Sequence, residues 1–481
     1  MISPSSVFPV RPRRAESSDS AAPPLRRRWL RPVDRTALGV WLATRTLLLA
    51  VSLYSRYATS SGKSQSWLGL WQHWDWYRYL TVAEYGYTSG KGPAYDQNIT
   101  AFLPGFPMTL RAADFVVRNW AVAGLLVSFV AGGVAVVALA RLTEFEYNRR
   151  HPDAAPETAR RAARTAVLLL VCAPAAVFLA IGYTEALFLA FAVPGWLAAR
   201  RGQWVRAGVL VAFACTIRIN GLFVLAGVVV MFLASRPSRR DWTRSPALLL
   251  PLAAAGAYAA YLKDITGDWL GWLHAEQRGW SRSFTNPITA WRTSWNNAFG
   301  SGFSGGRGGG GGGRRGGGGG TRPGATGGGG TAGGFGGGTG SGTGNGFAGG
   351  GGGTGGFGGG GSGTGTGTGG GQAALAGVGT FDEWAFRLEL LAAVVGVGTV
   401  VWLGWRRRWA ELVYVGISVF ALVTSSYYMS IPREMLLWWP LWVGAAIWMA
   451  GRRWATIAYA AVSGSLMIGV ALLYFSGQWA G

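Results

Sequence analysis

The chain has few of the residues that build disulfide frameworks or metal centres. It contains two cysteines, Cys172 and Cys215, and both lie inside apolar runs. Neither a disulfide framework nor a cysteine-based metal site is therefore indicated. Of the three histidines, His274 lies close to Glu276 but lacks a third ligand at metal spacing. We expect no metal and no cofactor.

Acidic residues and lysines are also scarce. The chain carries 44 basic against 21 acidic residues, a net charge of +23, and only Lys63, Lys91 and Lys263 are lysines. This arginine bias, with abundant Ala and Gly, is typical of a high-GC bacterium. Such charge in a soluble protein would suggest nucleic acid. Here the arginines cluster between apolar runs, as in cytoplasmic loops of membrane proteins, so we expect no nucleic-acid partner.

The apolar runs predict the fold class. Hydrophobic residues make up 49% of the chain despite 78 glycines, and mean hydropathy is +0.24. Several runs approach the roughly 20 residues that a spanning helix needs, so we expect an all-α polytopic membrane protein with about eleven transmembrane helices. The expected spans are residues 37–57, 120–140, 165–182, 184–199, two short segments within 207–234, and 245–262, 385–404, 409–428, 434–450 and 454–475.

The run 207–234 leaves two topologies open. As one helix it would place Arg236 and the arginines that follow it outside the cell. As two short segments broken near Arg218-Ile219-Asn220-Gly221 it keeps them in the cytoplasm. We favour the break, because broken helices are tolerated where they line a cavity. The N-terminus is then cytoplasmic and the C-terminus lies outside.

Composition divides the chain into four parts. Residues 1–35 are rich in Pro, Ser and Arg, show no cleavable signal peptide and are expected to form a disordered cytoplasmic tail. Residues 36–299 form an N-terminal transmembrane part with a long outer loop at 58–118. Residues 300–371 are mostly glycine and cannot build a packed core, so we expect a disordered outer insert. Residues 372–481 supply the C-terminal transmembrane helices.

The most distinctive stretch, from His73 to Tyr87, lies in the outer loop. Its Trp and Tyr residues suit the boundary between hydrocarbon and water. Helical spacing predicts an interfacial helix whose apolar stripe rests on lipid or on neighbouring helices. Asp75 and Arg78 lie off that stripe and would face a polar substrate headgroup. The stripe consists of Trp76, Tyr79, Leu80, Ala83 and Tyr87.

Several of the unusual polar residues also have plain structural interpretations. Asp75 could pair with Arg78 at i, i+3 and cap its helix, and Glu185 could be an ordinary loop acid. A buried charge such as Arg218 is a functional candidate, although it could also bind a helix-end carbonyl. Arg433 could snorkel to the interface or bind a lipid phosphate. In addition, Arg45 is expected to pair with a carboxylate.

Four motifs in register resemble the PIG-V-like mannosyltransferase family. The first is Trp74-Asp75 followed by Tyr79-Leu80, Ala83-Glu84 and Gly86-Tyr87. The next are Ala101-Phe102-Leu103-Pro104 with Phe106-Pro107 and Arg111, then Arg218-Ile219-Asn220-Gly221, then Gly267-Asp268 through Arg282. Two features depart from the family pattern: Trp76 is bulkier than the small residue expected there, and the glycine insert has no counterpart.

The resemblance implies a GT-C glycosyltransferase of the bacterial plasma membrane. A sugar, mannose, would pass with inversion from a polyprenyl-phosphate donor to an extracytoplasmic glycan, lipid or protein acceptor. Asp75 would be the catalytic base, and Arg433, Arg218 and Arg78 would bind the leaving phosphate. The resemblance and the outer position together suggest further substrate-binding residues: His73, Trp74, Trp76, Tyr79, Glu84, Glu185, Asn220, Asp268 and Glu276.

Two other functions remain open. A non-catalytic transporter or binder of lipid-linked sugar would also need an outer cavity with arginines, although we find no internal repeat of the kind that many transporters have. A scaffold for envelope assembly would use the glycine-rich segment as its working part.

Deleting residues 300–371 separates the enzyme from the scaffold. We expect the shortened chain to retain sugar transfer in membranes, because a flexible insert supplies no catalytic group. A loss of transfer at equal expression would favour the scaffold.

Overall fold

A computed structural model describes residues 30–59, 63–280, 282–300 and 381–478. Within these ranges the secondary structure is helical, apart from one isolated bridge between Phe284 and Ser425. The predicted tail lies mostly outside the described residues and the predicted glycine-rich insert lies almost wholly outside them. Both therefore stay predictions.

The described ranges form an all-α polytopic membrane protein, as predicted. In chain order the helices are α1 Pro32–Ala58, α2 Asp75–Tyr85, α3 Gly105–Val117, α4 Trp120–Arg150, α5 Pro156–Val171, α6 Thr184–Arg200, α7 Trp204–Ile217, α8 Asn220–Ala234, α9 Arg239–Arg244, α10 Leu250–Thr266, α11 Gly271–Trp280, α12 Pro287–Phe299, α13 Phe381–Trp405, α14 Trp409–Val423, α15 Ile431–Met435, α16 Trp439–Met449 and α17 Arg453–Phe475.

The apolar helices correspond one to one with the expected spans. Five stretches are long and apolar enough to cross a membrane: α1, α4, the stretch from α9 through α10, α13 and α17. The shorter apolar helices are α7, α8, α14 and α16, and α5 and α6 are largely buried among them. Some helix ends differ from the expected ends of the spans. Helix α4 continues to Arg150, and α5 ends at Val171.

The outer loop contains more helix than expected. The interfacial helix predicted near residue 75 is α2, which ends at Tyr85. A second helix, α3, begins at Gly105 directly after the Phe102-Leu103-Pro104 turn. Helix α3 was expected to be part of the loop, because its short apolar pattern has too few turns to separate it from an extended segment.

The predicted break at Arg218 is present. Arg218 is extended, with φ −146° and ψ 144°, and α8 begins two residues later at Asn220. The turn is so tight that a Cβ at Gly221 would lie 2.6 Å from the backbone nitrogen of Cys215. Only glycine fits this position without a backbone shift.

Buried ion pairs tie the helices together at the end opposite the outer loop. Asp34 of α1 binds Arg141 of α4 at 2.7 Å. Glu146, which is 2% exposed, binds Arg200 at 2.6 Å and Arg408 at 3.5 Å. Through these contacts the arginine-rich segments join α4 and α6 to the connection between α13 and α14.

Trp76 attaches α2 to the helical core. The indole is 1% exposed and lies against two glycines, so the apolar stripe of α2 rests mainly on protein rather than on lipid. A Cβ at Gly124 would lie 2.5 Å from the Trp76 ring, and one at Gly182 would lie 2.4 Å from it. The bulky residue that departs from the family pattern thus occupies a space that these glycines leave open.

A methyl group at either glycine should loosen the attachment of α2. We expect Gly124→Ala and Gly182→Ala to lower the free energy of unfolding by about 1–3 kcal/mol, the usual cost of overpacking a core. Thermal unfolding in detergent measures the change. Gly398→Ala is the matched control, since a Cβ there meets nothing within 4 Å. Equal melting temperatures for all three variants would contradict this account of the packing.

Candidate functional site

A polar cavity lies where α2 begins, where α7 and α8 meet, and where α11 and α15 approach them. The cavity brings together residues that are far apart in the sequence. Its lining consists of Asp75, Tyr79, Ala101, Phe102, Leu103, Thr184, Ile217, Arg218, Ile219, Asn220, Trp272, Glu276, Trp280, Arg282, Met429, Ser430, Arg433 and Glu434.

Asp75 is the first residue of α2 and points its carboxylate at Arg433. The distance from Asp75 Oδ2 to Arg433 Nη1 is 2.8 Å, and the carboxylate side chain remains 18% exposed. The preceding residue, Trp74, has a φ of 47°, a region that L side chains rarely adopt. The Tyr183 hydroxyl donates to the His73 carbonyl at 2.7 Å and helps to hold this strained turn. Such strain persists where the surroundings over-determine it, often at functional sites.

Arg433 is the most enclosed cation of the cavity, at 6% exposure. Its Nε donates to Glu185 Oε1 at 2.5 Å, and its guanidinium lies 4.7 Å from the centre of the Tyr183 ring. Glu389 of α13 holds the short helix α15 in place, because it accepts backbone N–H groups from Ser430 at 2.6 Å and Ile431 at 2.7 Å. Arg433 therefore has a fixed orientation.

Arg218 lies in the helix break and makes a second set of ionic contacts. Its Nη1 donates to Thr184 Oγ1 at 2.6 Å and to Glu185 Oε1 at 2.9 Å, and its Nη2 donates to Glu434. Asn220 donates to the other oxygen of Glu434 at 3.1 Å. The side chain thus binds carboxylates and a hydroxyl, not the helix-end carbonyl considered as its structural role.

The structure brings six of the predicted site residues into this cavity, and a seventh lies directly beneath it. Glu185 is fully buried and bridges Arg218 and Arg433, so it is not the ordinary loop acid considered above. The six that line the cavity are Asp75, Tyr79, Arg218, Asn220, Glu276 and Arg433.

Three predicted residues from the start of the outer-loop helix do not reach the cavity. Trp76 packs into the core as described above. The ring of His73 lies 5.2 Å from that of Tyr474, and its burial lowers its pKa to about 4, so it adds no positive charge near neutral pH. The ring of Trp74 lies 5.2 Å from the same tyrosine.

The remaining predicted residues also lie elsewhere. Arg78 does not pair with Asp75, since it donates to Asp96 at 2.7 Å across the outer loop. Glu84 is exposed, and Asp268 binds His274 at 2.5 Å near the surface. None of the three lines the cavity, although the Arg78 guanidinium lies 5.5 Å from the centre of the Trp280 ring, which does.

Arg45 does not have the carboxylate partner expected for it. Its guanidinium lies 4.0 Å from the centre of the Trp41 ring. Its three nitrogens are buried and find no hydrogen-bond partner among the described residues. A cation–π contact replaces the predicted ion pair.

Several cavity residues were not among the predicted site residues. Trp272 and Trp280 come from α11, and Thr184 comes from the start of α6. Arg282 donates to the Met429 carbonyl at 2.7 Å. Aromatic residues and single hydroxyls are common in membrane proteins, so their spacing carried no separate signal. Glu389 was missed because its role in holding α15 depends on packing alone.

A second, apolar cavity of about 480 Å³ adjoins the first. The two share one wall, because Leu103 and Ile217 line the polar cavity while the adjacent Pro104 and Thr216 line the apolar one. Its other lining residues include Ala83, Tyr87, Pro107, Met108, Arg111, Ala254, Ala257, Tyr258 and Tyr261. The arrangement places an apolar space next to the turn that carries Arg218.

No metal centre is visible in the part of the chain that the structure describes. No three His, Cys, Asp or Glu side chains there are grouped to hold an ion. The expectation that the chain uses no metal or cofactor stays a prediction.

Comparison with known proteins agrees with the motif resemblance. Residues 48–236, from α1 through α8, match the family described as Mannosyltransferase (PIG-V). This segment of the chain is similar to PIG-V mannosyltransferases. This confirms the family predicted from the four motifs, and the matched segment contains Asp75, Glu185 and Arg218. The PIG-V match ends before Glu276 and Arg433, and no solved structure matches the chain.

Curated relatives match the chain over part of their length. GPI mannosyltransferase 2 of Yarrowia lipolytica is 27% identical over 181 residues, which cover 34% of this chain and 47% of that protein. GPI alpha-1,6-mannosyltransferase 2 of Homo sapiens is 35% identical over 169 residues, which cover 32% of this chain and 30% of that protein. The chain therefore spans less than half the length of each of these relatives.

Glu185 should be essential for the stability of this cluster. We expect Glu185→Gln to lower the free energy of unfolding by about 3–5 kcal/mol, because it leaves two buried arginines short of a negative partner. Unfolding in detergent measures the loss. Glu84→Gln is the control, since Glu84 is exposed. If both variants unfold like the parent, Glu185 does not hold the arginines.

Proposed function

We propose that this protein is a membrane glycosyltransferase that moves a mannosyl group from a polyprenyl-phosphate donor to an acceptor hydroxyl. One observation carries the proposal: a partly exposed carboxylate, Asp75, lies 2.8 Å from a buried arginine at the wall of a polar cavity. Transfer of a sugar from a phosphate to a hydroxyl group requires a base for the hydroxyl proton and a cation for the leaving phosphate. The curated relatives carry mannosyltransferase in their names.

In the proposed reaction the acceptor oxygen attacks the anomeric carbon of the donor sugar. The bond from that carbon to the phosphate oxygen breaks, and its electron pair stays on the phosphate. The acceptor proton passes to Asp75, which needs to accept it only as the new bond forms. Attack opposite the leaving group inverts the anomeric centre, as in an inverting GT-C enzyme.

Arg218 and Arg433 are the groups that would bind the leaving phosphate. Both lie in the cavity wall, and both carry planar donor forks that match phosphate oxygens. Their present partners are carboxylates, so the positions are already suited to negative oxygen atoms. Arg78 is not part of this proposal, because it does not line the cavity and its guanidinium binds Asp96.

The apolar cavity supports a lipid-linked donor. A prenyl chain placed there would bury each methylene with a gain of about 0.8 kcal/mol. Its position next to the turn that carries Arg218 lets one molecule place an apolar chain and a phosphate at the same time. A soluble sugar nucleotide would have no use for such a space.

We further propose that the cavity opens on the outer face of a bacterial plasma membrane. The arginine-rich segments lie at the opposite end of the helices, which the positive-inside rule assigns to the cytoplasm. The acceptor would then be a lipoglycan, a wall polymer or a secreted protein. No cofactor enters the proposed reaction, because Arg218 and Arg433 supply the cationic stabilisation.

Asp75→Asn tests the proposed base. We expect sugar transfer from a short-chain polyprenyl-phosphate-mannose to fall by about 10²–10⁴-fold in membranes, while donor binding is retained, because asparagine cannot take the proton. Asp264→Asn is the control at an exposed position near the end of α10. Transfer by Asp75→Asn at the parent rate would exclude Asp75 as the base. Absence of transfer by the parent would reject this donor class.

A further inference from the structure

Helix α11 turns one face toward the cavity, and that face carries Trp272, Glu276 and Trp280. These residues are spaced four apart, so they lie along one side of a helix. All three line the cavity. The next residues, Gln277 and Arg278, are exposed on another side. An acid flanked by two indoles is therefore presented to whatever the cavity holds.

The orientation of α11 is held at both ends. At its start the Thr100 hydroxyl donates to the Gly271 carbonyl at 3.4 Å, and at its end the Tyr427 hydroxyl donates to the Trp280 carbonyl at 3.0 Å. Ala275, between them, is fully buried. The face toward the cavity is thus held in place by two separate segments of the chain.

Glu276 lacks a protein partner. Its carboxyl group forms no hydrogen bond or ion pair with any described residue, and burial raises its pKa although the charges of Arg282, Arg218 and Arg433 oppose that rise. In the same cavity the carboxylates of Asp75 and Glu434 both have arginine partners. A carboxyl group facing a cavity without a donor is poised to bind one from a ligand.

The residues around Glu276 favour a ligand whose hydrogen-bond donor groups are uncharged. Arg218, Arg282 and Arg433 line the same cavity as Asp75, Glu276 and Glu434, so its charges balance and a ligand needs no positive charge of its own. Hydroxyl groups carry no charge and hydrogen-bond a carboxyl group in either of its protonation states. The ligand facing Glu276 should therefore carry hydroxyl groups.

The two tryptophans further restrict the class of ligand that fits this face. Indole faces are apolar and carry negative charge density, which suits weakly positive C–H groups. Trp280 is supported by Phe102, with ring centres 5.7 Å apart, whereas Trp272 pairs with no other ring among the described residues. A pyranose ring offers C–H faces and adjacent hydroxyls together. An open-chain polyol or a protein hydroxyl offers no such face.

We infer that the Trp272–Glu276–Trp280 face binds a pyranose ring of the acceptor, with Glu276 accepting hydrogen bonds from its hydroxyls. This inference rests on the proposed function. There the donor phosphate occupies Arg218 and Arg433, so the acceptor approaches Asp75 from the part of the wall that these arginines leave free. The acceptor is then a glycan or glycolipid rather than a polypeptide side chain.

Binding of methyl α-mannoside, followed by saturation-transfer NMR, tests the inference on the full chain in lipid nanodiscs. The Asp75→Asn background prevents turnover. We expect saturation transfer to the ring protons, and a dissociation constant about tenfold higher in Glu276→Gln and in Trp272→Ala. Trp269→Ala is the matched control, because Trp269 is 56% exposed and does not line the cavity. Glu276→Gln keeps the shape of the side chain, so the test does not depend on the larger tryptophan change.

A second measurement separates the acceptor from the sugar of the donor. The methyl α-mannoside signal should persist when farnesyl-phosphate-mannose saturates the protein. Displacement by that donor would overturn the inference, since the face would then hold the donor sugar. Absence of binding, or equal binding by all variants, would overturn it as well. If methyl α-mannoside binds as expected but the parent transfers no sugar, the proposed function fails and the sugar-binding face remains.

Discussion

The structure depends on the pairing of charges that are buried within a bundle of apolar helices. Arg433 binds Asp75 and Glu185, and Arg218 binds Glu185 and Glu434. An unpaired ion is costly in such surroundings, so these contacts must form together. They therefore require α2, α6, the break between α7 and α8, and α15 to meet at one point.

This charge network also explains local features that would otherwise be unfavourable. The helix break at Arg218 lets one guanidinium reach three acceptors, and Gly221 makes the tight turn possible. The strained backbone of Trp74 places Asp75 at the start of α2, facing Arg433. Both distortions occur where the proposed reaction needs a fixed carboxylate and fixed cations.

The network links the fold to the proposed reaction. Arg218 and Arg433 already bind carboxylate oxygens, so a phosphate group could take a similar position without rearranging the helices. In the proposed reaction the neighbouring apolar cavity binds the lipid chain, and the tryptophan face of α11 binds a sugar ring. The arginines and the tryptophan face line the same cavity as Asp75, and the apolar cavity adjoins that cavity through the Thr216-Ile217 wall.

The sequence by itself determined the apolar spans, the break near Arg218 and the helix that begins at Asp75. These features depend on run length, charge placement and helical spacing, which are local properties. It also singled out Asp75, Arg218 and Arg433, since charges beside or within apolar runs are unusual. It did not reveal α3, whose short pattern is ambiguous.

Only the tertiary structure decided which charge binds which. Asp75 pairs with Arg433, 358 positions along the chain, and not with Arg78 one helical turn away. Glu185 is fully buried, and Glu389 holds α15 through two backbone N–H groups. Helical spacing shows which residues share a face, but not what that face meets. Packing between distant segments decides the partner, because a buried charge is stable only where that packing supplies its counter-charge.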